Sequence, residues 1–364
     1  MPLQFILLLA AAAVAATGAA AAAAAAPTPP PLTLPLRIVQ FADLHFGEAE
    51  SLPWGPAQDA NSTRVMQRVL AAERPVSLAV FSGDQITGNN VDSNATAYSR
   101  LVLAPAAAAG TPFASIFGNH DDAPLEGTSS SSNASASRRS RRPRRRGLSA
   151  TSRRALLDFE RATWPALSLT CGPPGAGGCP PALAPSASNY ALLVRDGAGA
   201  ARAALYFLDS GGGTCAEELP AAVTAWLAGA AAALGHPPAL VFVHIPAPEY
   251  AAAAGGAGCA GLAQDGVTPT AGANALVATL LAMGGSVRAV SVGHDHGNAD
   301  CCPAPGGGNL TLCFGRHSGY GGYGDWARGA RVFEVAEDAS ARGGLRVTTR
   351  VRMEDGSVNS EEEL

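Results

Sequence analysis

The sequence has little net charge and lacks the usual signatures of nucleophilic catalysis. Its formal charge is −4 over 364 residues, which gives no electrostatic attraction for nucleic acid, so no nucleic-acid partner is expected. No GxSxG elbow is present, and no cysteine can be paired with a histidine that lacks another assignment. Cys301 and Cys302 are adjacent and lack the two-residue spacing of zinc-binding cysteine motifs. These absences exclude a serine or cysteine nucleophile and disfavour a thiolate metal site.

The sequence has only seven histidines, and five of them lie in short polar clusters. Each cluster directly follows a short apolar run of the β type. Because strands that end at one edge of a sheet bring such clusters together, the pattern predicts a site at strand ends. The clusters are Asp43-Leu44-His45, Gly83-Asp84, Gly118-Asn119-His120-Asp121, His244 and Gly293-His294-Asp295-His296.

These oxygen and imidazole ligands suit a pair of divalent metal ions. Two cations about 3.5–4 Å apart need a bridging carboxylate, neutral imidazoles and open positions for a hydroxide and a substrate oxygen. Asp84 is the predicted bridge, because it follows a strand in a Gly-Asp turn. The predicted ligands of one metal are Asp43, His45 and His296, and those of the other are Asn119, His244 and His294.

The remaining polar side chains of the third cluster suggest an acid catalyst. His120 is predicted to face the leaving group without binding metal, and Asp121 to hold it protonated. A hydroxide activated by the two cations would attack the substrate, while His120 gives a proton to the leaving group. No covalent intermediate with the enzyme is expected.

The ordered set DxH, GD, GNHD, H and GHDH resembles the calcineurin-like metallophosphoesterases, over residues 36–353. Flanking segments such as VFSGDQITG, FVHIPAPEY and the Gly/Tyr-rich run GRHSGYGGYGDW are similar to the short plant purple-acid-phosphatase-like proteins and related fungal phosphatases. The resemblance implies a metallophosphoesterase fold and agrees with the ligand assignment above.

The chain departs from purple acid phosphatases at two positions. They carry an iron-binding tyrosine three residues after the bridging aspartate, where this chain has Thr87, and their first cluster ends in glycine, where this chain has His45. The metal pair is therefore expected to be Mn, Zn or Fe(II)-containing rather than a redox-stable ferric site. Proteins of this subgroup are sometimes labelled probable inactive, but the full ligand set here argues against inactivity.

The alternation of strand and helix patterns predicts an α/β fold, an α+β sandwich of two mixed β-sheets flanked by helices. Strands are predicted at 36–42, 77–82, 113–117, 188–195, 203–208, 239–243, 287–292, 310–314, 330–336 and 345–352, and helices at 61–73, 94–106, 151–160, 217–234 and 271–283. One phosphoesterase domain is expected at 36–353, with a disordered Ser/Arg-rich insert at 127–146 and an acidic tail at 354–364.

The N-terminal segment, the glycosylation sequons and the cysteines indicate in which cellular compartment the protein resides. Residues 1–26 carry no charge and are predicted to be a cleaved signal peptide, with an uncleaved membrane anchor as the alternative; 27–35 would be a Pro-rich spacer. Four N-glycosylation sequons support a secreted or vacuolar protein, and a cytoplasmic one is the alternative. Disulfides are predicted between Cys171 and Cys179, and between Cys313 and Cys301 or Cys302.

The sequence gives less information about the substrate than about the metal ligands. The leading prediction is a phosphomonoesterase acting on a phosphorylated small molecule or phosphoprotein. The alternatives are a phosphodiesterase for nucleotides or phospholipid head groups, and a non-catalytic scaffold of the same fold. His317 and Tyr320 are the candidate substrate contacts, although either could simply pack in its loop.

Overall fold

The computed structural model describes residues 28–91, 94–125, 151–171, 179 and 187–364. In chain order its strands are β1 (Leu32–Thr33), β2 (Leu36–Phe41), β3 (Leu78–Ser82), β4 (Phe113–Ile116), β5 (Tyr190–Arg195), β6 (Ala201–Phe207), β7 (Ala239–Phe242), β8 (Val287–Val292), β9 (Cys301–Pro303), β10 (Thr311–Phe314), β11 (Gly329–Glu337), β12 (Leu345–Met353) and β13 (Val358–Glu363). The helices are α1 (Trp54–Ala72), α2 (Ala95–Ala108), α3 (Arg153–Thr163), α4 (Ala221–Ala233), α5 (Pro248–Ala253) and α6 (Leu276–Ala282).

Within these residues the strands form two mixed sheets. The seven-stranded sheet has the order β1-β5-β6-β7-β8-β10-β9, and the six-stranded sheet has the order β13-β12-β11-β2-β3-β4. The neighbours β2, β3 and β4 run parallel, as do β6, β7 and β8. Parallel neighbours present their carboxyl ends at the same edge, so each sheet delivers several loops to one rim of the molecule.

Aromatic side chains join the inner faces of the two sheets. Phe207 stacks on Phe242 at 5.3 Å between ring centroids, and Phe242 meets Phe333 of the opposite sheet edge-on at 5.9 Å. The strand β3 is buried along its whole length, which explains its unbroken apolar sequence. Leu227, Leu276 and Leu280, from α4 and α6, share a second buried cluster with the seven-stranded sheet.

This architecture confirms the predicted fold class of two mixed sheets with flanking helices. Several element boundaries differ from the prediction. Leu32 and Thr33, expected in the spacer, form β1 beside β5. The expected acidic tail forms β13, an edge strand antiparallel to β12, with Glu363 paired to Arg346 at 2.9 Å. Helix α1 begins at Trp54, well before the predicted start at residue 61, and Pro56 lies in its first turn, where proline is tolerated.

Disulfides close two predicted loops and one further connection. Cys171 bonds Cys179, Cys301 bonds Cys313, and Cys259 bonds Cys302. The last pair could not be chosen from spacing, because 43 residues separate its members. Among the described residues Cys215 remains a free thiol.

The N-terminal segment 1–26 and the insert 127–146 lie outside the described residues, as does the sequon at Asn133. Within the part of the chain that is described, no helix has the length and apolar character needed to cross a membrane. The sequon at Asn61 lies inside α1 rather than in a surface loop, whereas Asn94 precedes α2 and Asn309 is exposed before β10.

Candidate metal centre

The predicted clusters lie in the loops that follow β2, β3, β4, β7 and β8. Three of these strands belong to the six-stranded sheet and two to the seven-stranded sheet. An isolated bridge between Ala42 and His317 joins the rims of the two sheets. Because both rims meet there, side chains far apart in the sequence converge on one centre.

Three overlapping groups of ligand atoms make up this centre. Within each group the candidate ligand atoms lie within 4.8 Å of one another. Asp84 belongs to two groups and His45 to two, so Asp84 occupies the middle position that a bridging carboxylate needs. The groups are Asp43, His45 and His296; His45, Asp84 and His120; and Asp84, His244 and His294.

The side of Asp84 that faces the seven-stranded sheet is closely packed with ligand atoms. His244 Nε2 lies 3.2 Å from Asp84 Oδ2 and 3.2 Å from Asn119 Oδ1. His294 Nδ1 lies 3.0 Å from the same Asn119 oxygen. The structure therefore brings Asn119, His244 and His294 together beside Asp84, in the grouping that the sequence predicts.

The other side collects Asp43, His45 and His296. His45 Nε2 and His296 Nε2 are 3.2 Å apart, and His45 Nε2 lies 3.7 Å from Asp84 Oδ2. His296 Nε2 lies 3.9 Å from Asp43 Oδ1. Each of these nitrogens points toward a carboxylate and a second imidazole, which is the arrangement of a metal site rather than of an isolated core histidine.

Backbone carbonyls orient two of the imidazoles. His244 Nδ1 donates to Ser82 O at 2.9 Å, and His296 Nδ1 donates to Tyr323 O at 2.8 Å. A proton held on Nδ1 leaves the lone pair of Nε2 free for a metal, so these contacts select the ligand tautomer.

Four candidate ligands have left-handed backbone conformations. The φ angles of Asp43, His45, Asp84 and His294 are 54°, 49°, 48° and 76°. Such angles are unfavourable for residues other than glycine, and strain of this kind gathers at functional sites. The tight turns also require a small neighbour: a Cβ on Gly118 would lie 2.2 Å from Asp84 Oδ1.

Burial and charge set the protonation of the ligands. Burial lowers the pKa of His294 and of His296 to about 4, and lowers that of His45 well below its usual value. Burial disfavours the Asp84 carboxylate, but His244 and His120 outweigh it and hold the pKa of Asp84 well below its ordinary range. Three neutral imidazoles and an ionised central carboxylate are the forms in which these groups bind metal.

One orphaned oxygen tests whether the residues fit a metal. Asp43 Oδ2 is buried and has no hydrogen-bond partner among the described residues, while Oδ1 accepts from His294 N at 2.9 Å. An unpaired buried carboxylate oxygen is costly, and a cation would satisfy it. Together with the neutral imidazoles this donor set fits divalent metal ions.

The structure corrects the predicted partnership of His120 and Asp121. The Asp121 carboxylate accepts backbone hydrogen bonds from Gln85, Ile86 and Gly118 at 2.8, 3.0 and 2.7 Å. His120 Nδ1 has no hydrogen-bond partner among the described residues, and the backbone N–H of His120 donates to Asp84 Oδ1 at 2.7 Å. Asp121 thus fixes two loops of the centre to each other, and Asp84 holds the backbone of His120.

Known proteins share this sequence pattern and this architecture. The family model described as calcineurin-like phosphoesterase matches residues 36–298, more than half of the chain. The chain belongs to the calcineurin-like phosphoesterase family. Members of this family use a dinuclear metal centre, and the residues assembled around Asp84 are this chain's candidates for it.

Among the relatives is the probable inactive purple acid phosphatase 29 of Arabidopsis thaliana, which is 28% identical over 84% of this chain and 78% of the relative. Phosphatase DCR2 of Saccharomyces cerevisiae is 38% identical over 24% of this chain and 16% of its own length. A solved dimetal phosphatase of Danio rerio has a TM-score of 0.53 at 13% identity and covers 90% of this chain and 100% of its own. At that identity the last comparison bears on the fold alone.

The two predicted substrate contacts, His317 and Tyr320, lie outside the groups of candidate ligand atoms. His317 is fully buried; its ring packs 4.0 Å from that of His296, and its Nε2 donates to Gly321 O at 3.0 Å. The hydroxyl of Tyr320 donates to Glu354 at 2.8 Å, beside α1. His317 therefore supports a ligand from behind, and Tyr320 anchors its loop.

Tyr323, three residues after Tyr320, packs against the candidate ligand His296. Its ring stacks on His296 at 4.0 Å with an interplanar angle of 17°, and 48% of the residue is exposed. Its hydroxyl accepts from His296 N at 3.1 Å and donates to Asp265 at 2.5 Å. The Gly/Tyr-rich sequence gave no means of choosing between the two tyrosines, because both are flanked by glycine.

Thr87 and His45, the two positions at which the chain departs from the purple acid phosphatase pattern, are neighbours in the structure. Thr87 Oγ1 lies 3.4 Å from His45 Nδ1. A threonine hydroxyl at this place can hydrogen-bond the ring of His45, and it leaves Nε2 directed at Asp84. Asp295, between two candidate ligands, accepts from Thr268 N at 3.2 and 3.1 Å and so ties the 293–296 loop to its neighbour.

Proposed function

We propose that this protein hydrolyses phosphomonoesters with the help of two divalent metal ions, Mn, Zn or Fe. The observation that supports this most is the complete set of candidate ligands on both sides of Asp84. This set includes the Asp43 oxygen that has no hydrogen-bond partner among the described residues. When bound, the cations would activate water and neutralise charge on the phosphoryl group. Asp43, His45, His296 and Asp84 would hold one ion, and Asp84, Asn119, His244 and His294 the other.

The protein's own residues prepare this chemistry before substrate arrives. Ser82 and Tyr323 keep the imidazoles of His244 and His296 in the metal-binding tautomer. The strained turns at Asp43 and Asp84 fix the carboxylates without further rearrangement. Preorganised ligands of this kind avoid a reorganisation cost during the reaction.

His120 is the proposed general acid. Its ring centroid lies 4.9 Å from that of His45, and one of its nitrogens lies within the group formed with Asp84. Among the described residues Nδ1 has no hydrogen-bond partner, so this nitrogen can give its proton to a leaving-group oxygen without breaking a contact within that part of the chain. The hydrogen bond from His120 N to Asp84 keeps the acid at a fixed distance from the bridging carboxylate.

The proposal is tested with the full chain, supplied in turn with Mn²⁺, Zn²⁺ and Fe²⁺. Metal-dependent release of p-nitrophenol from p-nitrophenyl phosphate at a rate well above that from bis-p-nitrophenyl phosphate is the expected result. A reversed preference would make the protein a phosphodiesterase. Binding of metal without turnover of either ester would support the non-catalytic scaffold that the name of the Arabidopsis relative suggests.

The substrate proposed for the cell is a phosphorylated small molecule or a phosphoprotein, and the proposed compartment is the secretory pathway. The three disulfides support an oxidising environment. Labelling of the denatured, unreduced protein should find one reactive thiol, Cys215, and labelling after reduction should find all seven cysteines. Several thiols before reduction would favour the cytoplasm instead.

A further inference from the structure

Arg153 is a buried cation in an unfavourable position of its helix. It is the first residue of α3, and its side chain is only 3% exposed. The helix dipole disfavours a cation at the N-terminus, and no acidic residue stands in the first turn. Interactions outside the helix therefore hold this guanidinium in place.

The guanidinium donates hydrogen bonds to two separate loops. Nε donates to Asp122 Oδ1 at 3.0 Å, and Nη1 donates to the carboxylate of Asp209. The acceptors of Nη2 are the carbonyl oxygens of Gly118, Gly211 and Gly212, at 2.8, 3.0 and 2.9 Å. Only the planar fork of arginine can reach all of these acceptors at once; a lysine ammonium has three donors at one point.

Two of the partners enclose the loop that carries Asn119 and His120. Gly118 directly precedes Asn119, and Asp122 follows His120 by two residues. Within the described residues, Arg153 makes no hydrogen bond to the side chain of Asn119 or to that of His120. It fixes the backbone before Asn119 and the carboxylate after His120, so it controls the position of both indirectly.

The second loop packs directly against the first. Gly212 has a φ of +87°, and a Cβ there would lie 2.4 Å from the Cβ of Asn119. Thr214, two residues later, donates its hydroxyl to Asp122. The loop of residues 209–214 thus supports Asn119 from behind, and Arg153 is the side chain that binds both loops.

We propose that Arg153 is a positioning residue of the metal centre, which keeps Asn119 Oδ1 beside His244 and His294 and keeps His120 beside Asp84. The part that concerns His120 rests on the proposed function. The part that concerns Asn119 rests only on metal binding, so the two can be tested separately.

The test compares Arg153→Lys with Arg154→Lys. Arg154 is the next residue, its side chain is 65% exposed, and within the described part of the chain it pairs with the exposed Asp158. Arg153→Lys should weaken Mn²⁺ binding about 10–100-fold in calorimetric titration, the usual effect of losing a group that orients a ligand. Arg154→Lys should match the wild type.

Kinetics supply the second readout. In Arg153→Lys the loss should fall on kcat and should be larger for phenyl phosphate than for p-nitrophenyl phosphate, because phenolate is the poorer leaving group and depends more on a proton from His120. Loss of rigidity alone would lower both rates equally. A wild type that hydrolyses neither ester would refute the proposed function. The Mn²⁺ titration would still decide whether Arg153 positions Asn119 for metal binding.

Wild-type Mn²⁺ affinity in a folded Arg153→Lys would overturn the proposal. If that variant does not fold, Asp122→Asn replaces it, since it removes one charge of the ion pair and keeps the shape. Asp122→Asn should weaken Mn²⁺ binding in the same direction, and unchanged affinity would overturn the proposal equally.

Discussion

Asp84 and His244 lie 3.2 Å apart between Oδ2 and Nε2, although β3 and β7 place them on different sheets. The metal centre is therefore an interface between the two halves of the sandwich. Its candidate ligands join the sheets at one rim, and the aromatic contact of Phe242 with Phe333 joins them in the interior. Metal binding should consequently stabilise the whole fold, since a ligand that binds only the native state raises its stability.

Tyr323 should govern the affinity of the His296 side of the centre. Tyr323→Ala removes the stacked ring and the hydroxyl contact, and should weaken metal binding about 10–100-fold. Tyr323→Phe keeps the ring and should lie between this variant and the wild type. Mn²⁺ titration of the three proteins checks the order, and equal affinities would show that the stack has no role in holding His296.

A methyl group at Gly118 should disrupt the centre although every candidate ligand keeps its own side chain. The new Cβ would lie 2.2 Å from Asp84 Oδ1 and 2.5 Å from Asp84 N, so the bridging turn must move. Gly118→Ala should lower metal affinity at least about tenfold, as expected for a displaced ligand, and should lower the melting temperature.

Gly229→Ala is the matched control for this substitution. Gly229 lies inside α4, and a Cβ added there would meet no atom within 4 Å. Alanine is the better helix former, so this variant should raise the free energy of unfolding by about 0.5–1 kcal/mol. Chemical denaturation measures both variants; a Gly118→Ala protein as stable and as tightly metal-bound as Gly229→Ala would contradict the close packing around Asp84.

The affinity for metal should rise with pH between about 7 and 9. Burial opposes protonation of His244, but the Asp84 carboxylate outweighs it and raises the pKa of His244 to about 9. Below that pH the metal must displace this proton, so affinity should gain about tenfold per pH unit and level off above it. His294 and His296, with pKa values near 4, are already neutral and add no dependence.

Below about pH 7 the dependence should become steeper. Burial raises the pKa of Asp43 to about 7, so a second proton competes with metal there. Mn²⁺ titrations at pH values on both sides of 7 would reveal the two slopes. An affinity that is independent of pH would mean that the metal does not meet Asp43 and His244 in these protonation states.

The sequence alone was enough to predict the fold class and which candidate ligand side chains lie close together. The reason is that each ligand cluster follows a short apolar run, and parallel strands deliver such clusters to one edge. Asp84 stood out as the candidate bridge because a carboxylate in a Gly-Asp turn directly after a strand can direct its two oxygens at two metal ions. These signals are local in the sequence, so they can be recognised without a structure.

What the sequence could not supply depends on distant contacts. Arg153 follows an arginine-rich segment and looks like another solvent-exposed charge, yet Asp122 and Asp209 bury it. Asp121 was expected to contact the ring of His120, but its carboxylate accepts hydrogen bonds from three backbone N–H groups. The run at Val358–Glu363 looked like a polar tail because an edge strand needs no apolar alternation when one side faces solvent.

The most direct test of the metal centre is the metal content and phosphatase activity of Asp84→Asn, beside Asp158→Asn as a control at an exposed carboxylate. The wild type and Asp158→Asn should bind about two metal ions per chain and hydrolyse p-nitrophenyl phosphate. Asp84→Asn should bind fewer and lose about 1,000-fold or more in kcat/KM, since several kcal/mol of transition-state stabilisation disappear. Unchanged metal content and activity in Asp84→Asn would contradict a centre bridged by this residue.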